Sequence, residues 1–585
     1  MTDASALQFS GADEIGRVAS VDTSRVAISV SNANLLTTVG IGNLVAVQGQ
    51  TEHEYLISVT ERVTRNLREE LPDLTSDEEG DLAIQVSPVD DLRTVLIGTY
   101  RTVDGTKLNT FKRGADSFPQ IDRTCFVISG KNLQRFMGIL GADVKEDERL
   151  KLGSFVVDRA AEAIASGDKF FQRHAAILGS TGSGKSWTVA LILERAANLS
   201  HPNIIVFDMH GEYESLASTA GGFASRFKIA GPGDLSAPPA NTIFLPYWLL
   251  NRDEMLSMIL DRSDQNAPNQ ASRFTSHVRE LKSSRLAAEG QADILQTFTV
   301  DSPIPYQIKD LLDRLREDDT AKGVGAKGAP VKGEWEGRLT RFISRLEAKL
   351  EDRRYGFMFQ PHENVQMFDW LDSLVTSLLT SSGPSGIKIV DFSEVPADVL
   401  PVVTATLARL LYDVQFWMDG TCRTPVTLLC DEAHLYLPVR EDADAVEKQA
   451  LGVFERIAKE GRKYGFSLLV VSQRPSDVSR TILSQCNNFL ALRLTNESDQ
   501  NVVKRLMPDS LAGLTAILPL LDTGEALLLG DAVLLPSRIK LDKPKIPPNS
   551  ATLDFWTQWG CAEPQADILK AAVKSLRSQT RAKLI

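Results

Sequence analysis

A chain of 585 residues is longer than one hydrophobic core fills, and about two to four domains are expected. Its composition is that of a soluble globular protein, and the net charge of −12 argues against a generally basic, nucleic-acid-coating surface while leaving room for a local basic ring or loop. No apolar run reaches the length of a membrane span, and the N-terminus MTDASALQFSGADEIG lacks the apolar stretch of a secretion signal. Cys125, Cys422, Cys430, Cys486 and Cys561 are scattered without metal-ligand spacing and read as reduced thiols of a cytoplasmic protein.

From about 14 to 130 the chain reads as β. IGRVASVDTSRVAISV, GNLVAVQGQ, EYLISVTERV and LAIQVSPV are short alternating or apolar runs split by turn residues, the pattern of a small barrel or sandwich. The acidic stretch 68–81 reads as a solvated loop between strands. From 175 the pattern changes to strand, Gly-rich turn, helix, strand: AAILG, then WTVALILERAANL, then NIIVFD. That rhythm announces a parallel, helix-covered sheet. Residues from about 250 to 380 are charged amphipathic helix, interrupted at 321–337 by AKGVGAKGAPVKGEWEG, whose Gly and Lys content predicts a flexible loop. Strands resume with IKIVDF, VTLLCD, FSLLVVS and FLALRL, and ALLLG and DAVLLP are expected to close the sheet. A Pro-rich segment at 543–548 leads into a basic tail.

GSTGSGKS, residues 179–186, fits G-x-x-x-x-G-K-[ST] and sits between a strand and a helix, the context this motif requires. Gly179, Ser180, Thr181, Gly182, Ser183 and Gly184 let backbone N–H groups converge on phosphate oxygens. Lys185 is expected on the β- and γ-phosphates of ATP and Ser186 on Mg²⁺. At the end of the VTLLC strand, Asp431 is placed to hold Mg²⁺ and Glu432 to polarise a water. Gln473 and Arg474 emerge at the same sheet edge, and Gln473 is placed to sense the γ-phosphate or position the attacking water; the plainer alternative is a strand-end turn. Asp208, His210 and Glu212 end their own strand together, with helix capping and a turn at Gly211 as the plainer alternative. They make a poor metal site.

The letters DEAH at 431–434 raise the question of an RNA helicase. Spacing answers against it. Asp431 follows Lys185 by more than twice the separation those helicases show, and too little chain remains for their second RecA-like domain. The Ser550-Ala551-Thr552 triplet lies beyond the Pro-rich segment, where no coupling motif works.

RHAAILGSTGSGKS, IIVFDMHGEY, IFLPYWLLNRDEM, LLCDEAHLYLP, IAKEGRKYGFSLLVVSQRPS and TGEALLLGDAVLLP, in that order, resemble the HerA branch of HerA/FtsK-type ATPases. The resemblance implies an α/β fold: an N-terminal HAS-barrel-like β-barrel (1–150), a RecA-like P-loop NTPase core in two parts (151–249 and 385–540), a helical insertion (250–384) and a C-terminal tail or brace (541–585). It implies a homo-hexamer that pumps double-stranded DNA, working with a NurA-like nuclease or another effector subunit in DNA end processing or antiphage defence. An ATP-gated scaffold that activates a partner is the alternative, and a conjugation- or secretion-type ATPase a third reading.

Arg462 follows a helical apolar pattern (446, 450, 453, 454, 457) and Gly461, expected to cap that helix. A loop entering FSLLVVS lies opposite the ATP edge, so Arg462 is out of reach of its own nucleotide and is the candidate arginine finger toward a neighbour's. The alternatives are a helix-end charge for Arg462 and Arg456 as the finger. Lys322, Lys327 and Lys332 are candidates to track DNA phosphates, against a plain surface loop. Lys570, Lys574, Arg577, Arg581 and Lys583 are expected on a helix that straps a neighbouring subunit, with DNA binding as the alternative.

Overall fold

The computed structural model describes the whole chain except residues 1–4, 52, 71–84, 106, 143, 325–329, 381–383, 508, 551–553, 562, 564 and 580–585. It divides into two compact units: Met1–Arg195 with Ser472–Ser476 and Cys486–Pro544, and Ala196–Val471 with Asp477–Gln485 and Lys545–Ile585.

The first unit opens with β1 (Glu14–Asp22), β2 (Arg25–Val30), β3 (Leu44–Gln48), β4 (Glu54–Glu70), β5 (Gln85–Asp104), β6 (Lys107–Arg113) and β7 (Thr124–Val127). Their order is β2-β1-β7-β3-β4-β5-β6, and a further β2–β5 pairing closes six of them into a barrel. Closure removes the open edges that would otherwise template aggregation. Every second side chain points inward, and Ile15, Val26, Ile28, Val45, Val47 and Leu92 fill the interior. Of the acidic stretch predicted as a loop, residues 68–70 instead continue strand β4, paired with β5, and 71–81 lie outside the described residues.

β8 (Arg149–Phe155), β9 (Glu162–Ser166) and β10 (Ala175–Leu178) follow. The second unit then contributes β11 (Ile204–Asp208), β12 (Ala224–Ile229), β13 (Thr242–Ile243), β14 (Lys322–Val324), β15 (Pro330–Lys332), β16 (Ile387–Asp391), β17 (Val426–Cys430) and β18 (Phe466–Ser472). In that unit β13-β12-β16-β11-β17-β18 are neighbours, all parallel. β11, β16, β17 and β18 are buried along their whole length, so they read as continuous apolar runs rather than alternating ones. Back in the first unit, β19 (Asn488–Ala491) pairs parallel with β10, and β20 (Glu525–Gly530), β21 (Ser537–Leu541), β8 and β9 add on antiparallel.

The helical insertion carries Ala267–Ala288, Ile308–Thr320, Thr340–Glu351 and Trp370–Leu379. No helix among the described residues is long and apolar enough to cross a membrane.

Two sequence expectations need correction, and a third holds in a different form. The segment DAVLLP is not a strand. Arg113 donates to the carbonyls of Gly530, Val533 and Leu534, which occupies backbone acceptors a ladder would use, and the last strand begins only at Ser537. The predicted flexible loop at 321–337 contains a two-stranded ribbon, β14 paired antiparallel with β15, with Lys322 directly opposite Lys332; Lys327 lies outside the described residues. Gly461 is the C-cap of helix Ala445–Glu460 as expected, but not in the left-handed form. Its φ is −52°, the chain runs on as a 3₁₀ turn over Gly461–Tyr464, and Gly465 (φ 69°) supplies the left-handed exit. Glycine at 461 answers a close approach instead: a Cβ there would stand 2.6 Å from the Phe466 carbonyl oxygen.

Candidate nucleotide site

The phosphate loop leaves β10 and enters helix Lys185–Ala197. Gly182 (φ 73°) and Gly184 (φ 103°) hold left-handed backbone that a side chain would strain, and a Cβ on Gly179 would meet Ser183 Oγ at 2.5 Å. The loop is pinned from below: Ser180 N donates to the Arg493 carbonyl at 2.8 Å, Gly179 N to Ser472 O at 3.2 Å, and Gly524 N to Ser183 O at 3.1 Å. The TGE turn before β20 therefore supports the loop, a role the sequence reading missed; Gly524, with φ 73°, was its one visible signal. Lys185 is buried, its Nζ 3.5 Å from the Ser180 carbonyl, and Ser186 is half-buried on the first helical turn. Thr181 Oγ1 donates to Gln473 Oε1 at 2.6 Å, so Gln473 is brought to the phosphate loop.

Ser183 Oγ is buried and has no hydrogen-bond partner among the described residues. An orphaned hydroxyl inside a glycine-built nest at a helix N-terminus suits an incoming phosphate oxygen. The residues fit ATP: Gly179 to Ser186 would hold its phosphates, with Lys185 on their negative charge.

Asp431 and Glu432 belong to the second unit and follow β17. Asp431 is 3% exposed, and burial, with Glu432, Asp208 and Glu212 nearby, raises its carboxyl well above the ordinary range. Among the described residues no cluster of three or more His, Cys, Asp or Glu could hold a metal ion. Glu432 has left-handed backbone, φ 44° and ψ 45°, and His434 Nδ1 stands 3.3 Å from its Oε2.

Asp208 accepts backbone N–H groups from His210, Gly211, Glu212 and Tyr213. Burial pushes its carboxyl up to about 6, with the hydrogen bonds from Tyr213, Glu212 and His210 opposing. The plainer reading of that trio, a capped turn with Gly211 at φ 74°, describes the geometry. Its His210 is exposed.

Arg462 is exposed on the 3₁₀ turn before β18, at the Val426↔Phe466 end of the β17–β18 pair, while Glu432 follows the other end. A five-residue strand separates them by about 17 Å. The structure does not bring Arg462 to Glu432. Arg456 stacks over Tyr412 and Phe416 at 5.3 and 5.7 Å and pairs with Glu460 at 3.5 Å.

Strand, phosphate loop and helix, with a buried parallel sheet and a DE pair at a strand end, define a RecA-like P-loop ATPase core. The sequence profile of the helicase HerA central domain matches residues 150–411. The DNA double-strand break repair helicase HerA of Sulfolobus acidocaldarius is 26% identical over 375 residues, 63% of this chain and 65% of that protein. The protein of that name in Saccharolobus solfataricus is 26% identical over 402 residues, 68% of this chain and 69% of its own. The chain thus spans about two thirds of these relatives. Among solved structures, VirB4 of Thermoanaerobacter pseudethanolicus is 17% identical with a TM-score of 0.43, covering 68% of this chain and 97% of that one. The plasmid coupling protein TrwB in complex with ADP and Mg²⁺ is 14% identical with a TM-score of 0.44, covering 72% and 93%. Residues 150–411 thus resemble the central domain of the helicase HerA, and the matched relatives carry that name.

Proposed function

We propose that this chain is an ATP-driven, ring-shaped double-stranded DNA translocase. The observation that carries the reading is the glycine-built cradle around the orphaned Ser183 hydroxyl, in a chain whose residues 150–411 match the HerA central domain. Lys185 would neutralise the β- and γ-phosphates, Ser186 and Asp431 would be the ligands for Mg²⁺, which would shield phosphate charge, and Glu432 would take a proton from the attacking water. Gln473, held by Thr181, reads the γ-phosphate. Arg462 faces outward as the finger for a neighbouring subunit's nucleotide.

A homo-hexamer is part of the proposal. The tail supports association, since helices Phe555–Cys561 and Ala566–Ser578 leave Trp556 87% and Trp559 74% exposed, a face that another chain would cover. Lys570, Lys574 and Arg577 lie on the second of these helices, and Arg581 and Lys583 lie outside the described residues. The partner is a NurA-like nuclease or another effector, in end processing or antiphage defence, and the relatives named for DNA double-strand break repair support the DNA side of this reading.

The test is the ATPase rate of the purified chain with and without duplex DNA, alone and with whatever co-purifies. Stimulation by duplex of any sequence is expected. A rate indifferent to DNA, with assembly still ATP-dependent, would favour the ATP-gated scaffold.

A further inference from the structure

The helix that follows the phosphate loop, Lys185–Ala197, is packed on nearly every side. Its side chains from Val189 to Leu193 are fully buried, and every residue but one is buried or half-buried. The exception is Trp187, 39% exposed on the first turn. An indole carries a large apolar area and is usually turned inward. The other side chains of that turn are already engaged: Lys185 is buried, Ser186 is half-buried, and Thr188 Oγ1 donates back to the Gly184 carbonyl at 2.9 Å. Helical spacing sets Trp187 on the side of the helix that Gly184 begins. That side meets the turn before β20, where a Cβ on Gly184 would stand 3.4 Å from Gly524 N. The space beside this turn is open, since a Cβ on Gly524 would meet no atom within 4 Å, and Asp522 and Thr523 are exposed.

We propose that the Trp187 indole is the platform on which the base of the bound nucleotide stacks. The proposal rests on the reading of residues 179–186 as the cradle for the triphosphate of ATP. In that reading Lys185 takes the β- and γ-phosphates, and backbone N–H groups at the helix N-terminus take the α- and β-phosphates. The ribose and base therefore leave the cradle past the first helical turn, where Trp187 is the exposed side chain. Laying one face of the indole against a base removes apolar area of both partners from water. Every base has such a face, so the platform adds affinity for nucleoside triphosphates as a class, and base discrimination has to come from polar groups. Stacking at the base is the same before and during hydrolysis, so it strengthens binding without entering the chemical step.

The test measures nucleotide binding and hydrolysis by the full chain with Mg²⁺ in wild type, Trp187→Ala, Trp187→Phe and Lys185→Ala. Loss of an aromatic platform costs roughly 5–150-fold in affinity. Trp187→Ala is expected to raise Kd for ATP by a factor in that range, with the loss falling on KM rather than on kcat, while Trp187→Phe keeps most of the affinity. Inorganic tripolyphosphate, which has the phosphates and no base, is the control: as a competitor of ATP hydrolysis it should inhibit wild type and Trp187→Ala equally. ATP should also quench the fluorescence of this one of the chain's seven tryptophans, and Trp187→Phe should bind ATP without that quench. The fluorescence arm decides the matter should Trp187→Ala not fold. Trp187→Ala binding ATP as tightly as wild type, an equal loss for ATP and tripolyphosphate, or a quench that is absent or that persists in Trp187→Phe would each overturn the proposal. A Trp187→Ala protein that loses assembly yet keeps its ATP affinity would do the same, and would give the indole to a contact between subunits. Lys185→Ala binding ATP like wild type would instead remove the cradle beneath the proposal, a separate result.

Discussion

Lys282, in the insertion helix Ala267–Ala288, is 1% exposed and donates from Nζ to the carbonyls of Val300 at 2.7 Å and Ser302 at 2.6 Å. Burial lowers its pKa from 10.5 to about 7, with Asp301 opposing and Arg409 adding to the fall. The sign follows from proton counting. Between about pH 7 and about pH 10 the unfolded chain keeps the proton and the folded chain does not, so this group makes stability rise with pH across that window. At about pH 7.5 the lowered pKa costs about 4 kcal/mol, and at about pH 9 about 2 kcal/mol. Lys282→Met removes the cost but leaves two buried carbonyls without a donor, at about 1–3 kcal/mol each. The two effects nearly cancel near neutrality. At about pH 9 the wild type has recovered about 2 kcal/mol that the variant cannot. Denaturant midpoints of both proteins at the two pH values read this difference of differences, which excludes every other titrating group the two share. A stability gap independent of pH would show that Lys282 keeps its charge in the folded state and that the argument from burial fails.

Glu432→Gln is expected to bind ATP with wild-type affinity and hydrolyse it about 10²–10⁴-fold more slowly, whereas Lys185→Ala should lose binding as well, both read by nucleotide binding and single-turnover assays. Duplex DNA binding should weaken steeply with salt, and replacing Lys322, Lys327 and Lys332 by Ala should reduce the slope of log K against log salt by up to about 3 if the ribbon tracks phosphates; an unchanged slope reassigns it to a plain surface element. Arg462→Ala alone should lose roughly 10³–10⁵ in rate. Mixed with Lys185→Ala after subunit exchange it should regain part of the activity, because one subunit keeps the phosphate cradle and its neighbour the finger. A dead mixture, with exchange confirmed independently, would exclude a finger acting across the interface, and an active Arg462→Ala moves the assignment to Arg456.

What was legible in the sequence is what depends on neighbours along the chain. The phosphate loop needs left-handed glycines between a strand and a helix, and Gly182 and Gly184 announce that within eight residues. The buried parallel strands were legible for the same reason, as apolar runs such as LLC and LLVV. Sequence patterns failed where a contact crosses the fold. Arg113 shapes the turn at 530–534 from more than four hundred residues away, and no local signal in DAVLLP, which has strand-like composition, reports it. Gly461 caps its helix as its position announces, but without left-handed backbone, because it also makes room for the Phe466 carbonyl. Glu432 is the most informative failure. Nothing in its type suggests left-handed backbone, and local preference argues against it. A glutamate kept there against that preference, pinned by hydrogen bonds to the Asp431, Glu432 and Ala433 carbonyls, is where stability has been yielded to hold a group in place. A glycine at 432 would relieve the strain, so Glu432→Gly is expected to fold at least as stably as Glu432→Gln while hydrolysing ATP no faster. If the glycine variant were instead the less stable of the two, the glutamate conformation would carry no strain, and its left-handed backbone would mark only a convenient turn.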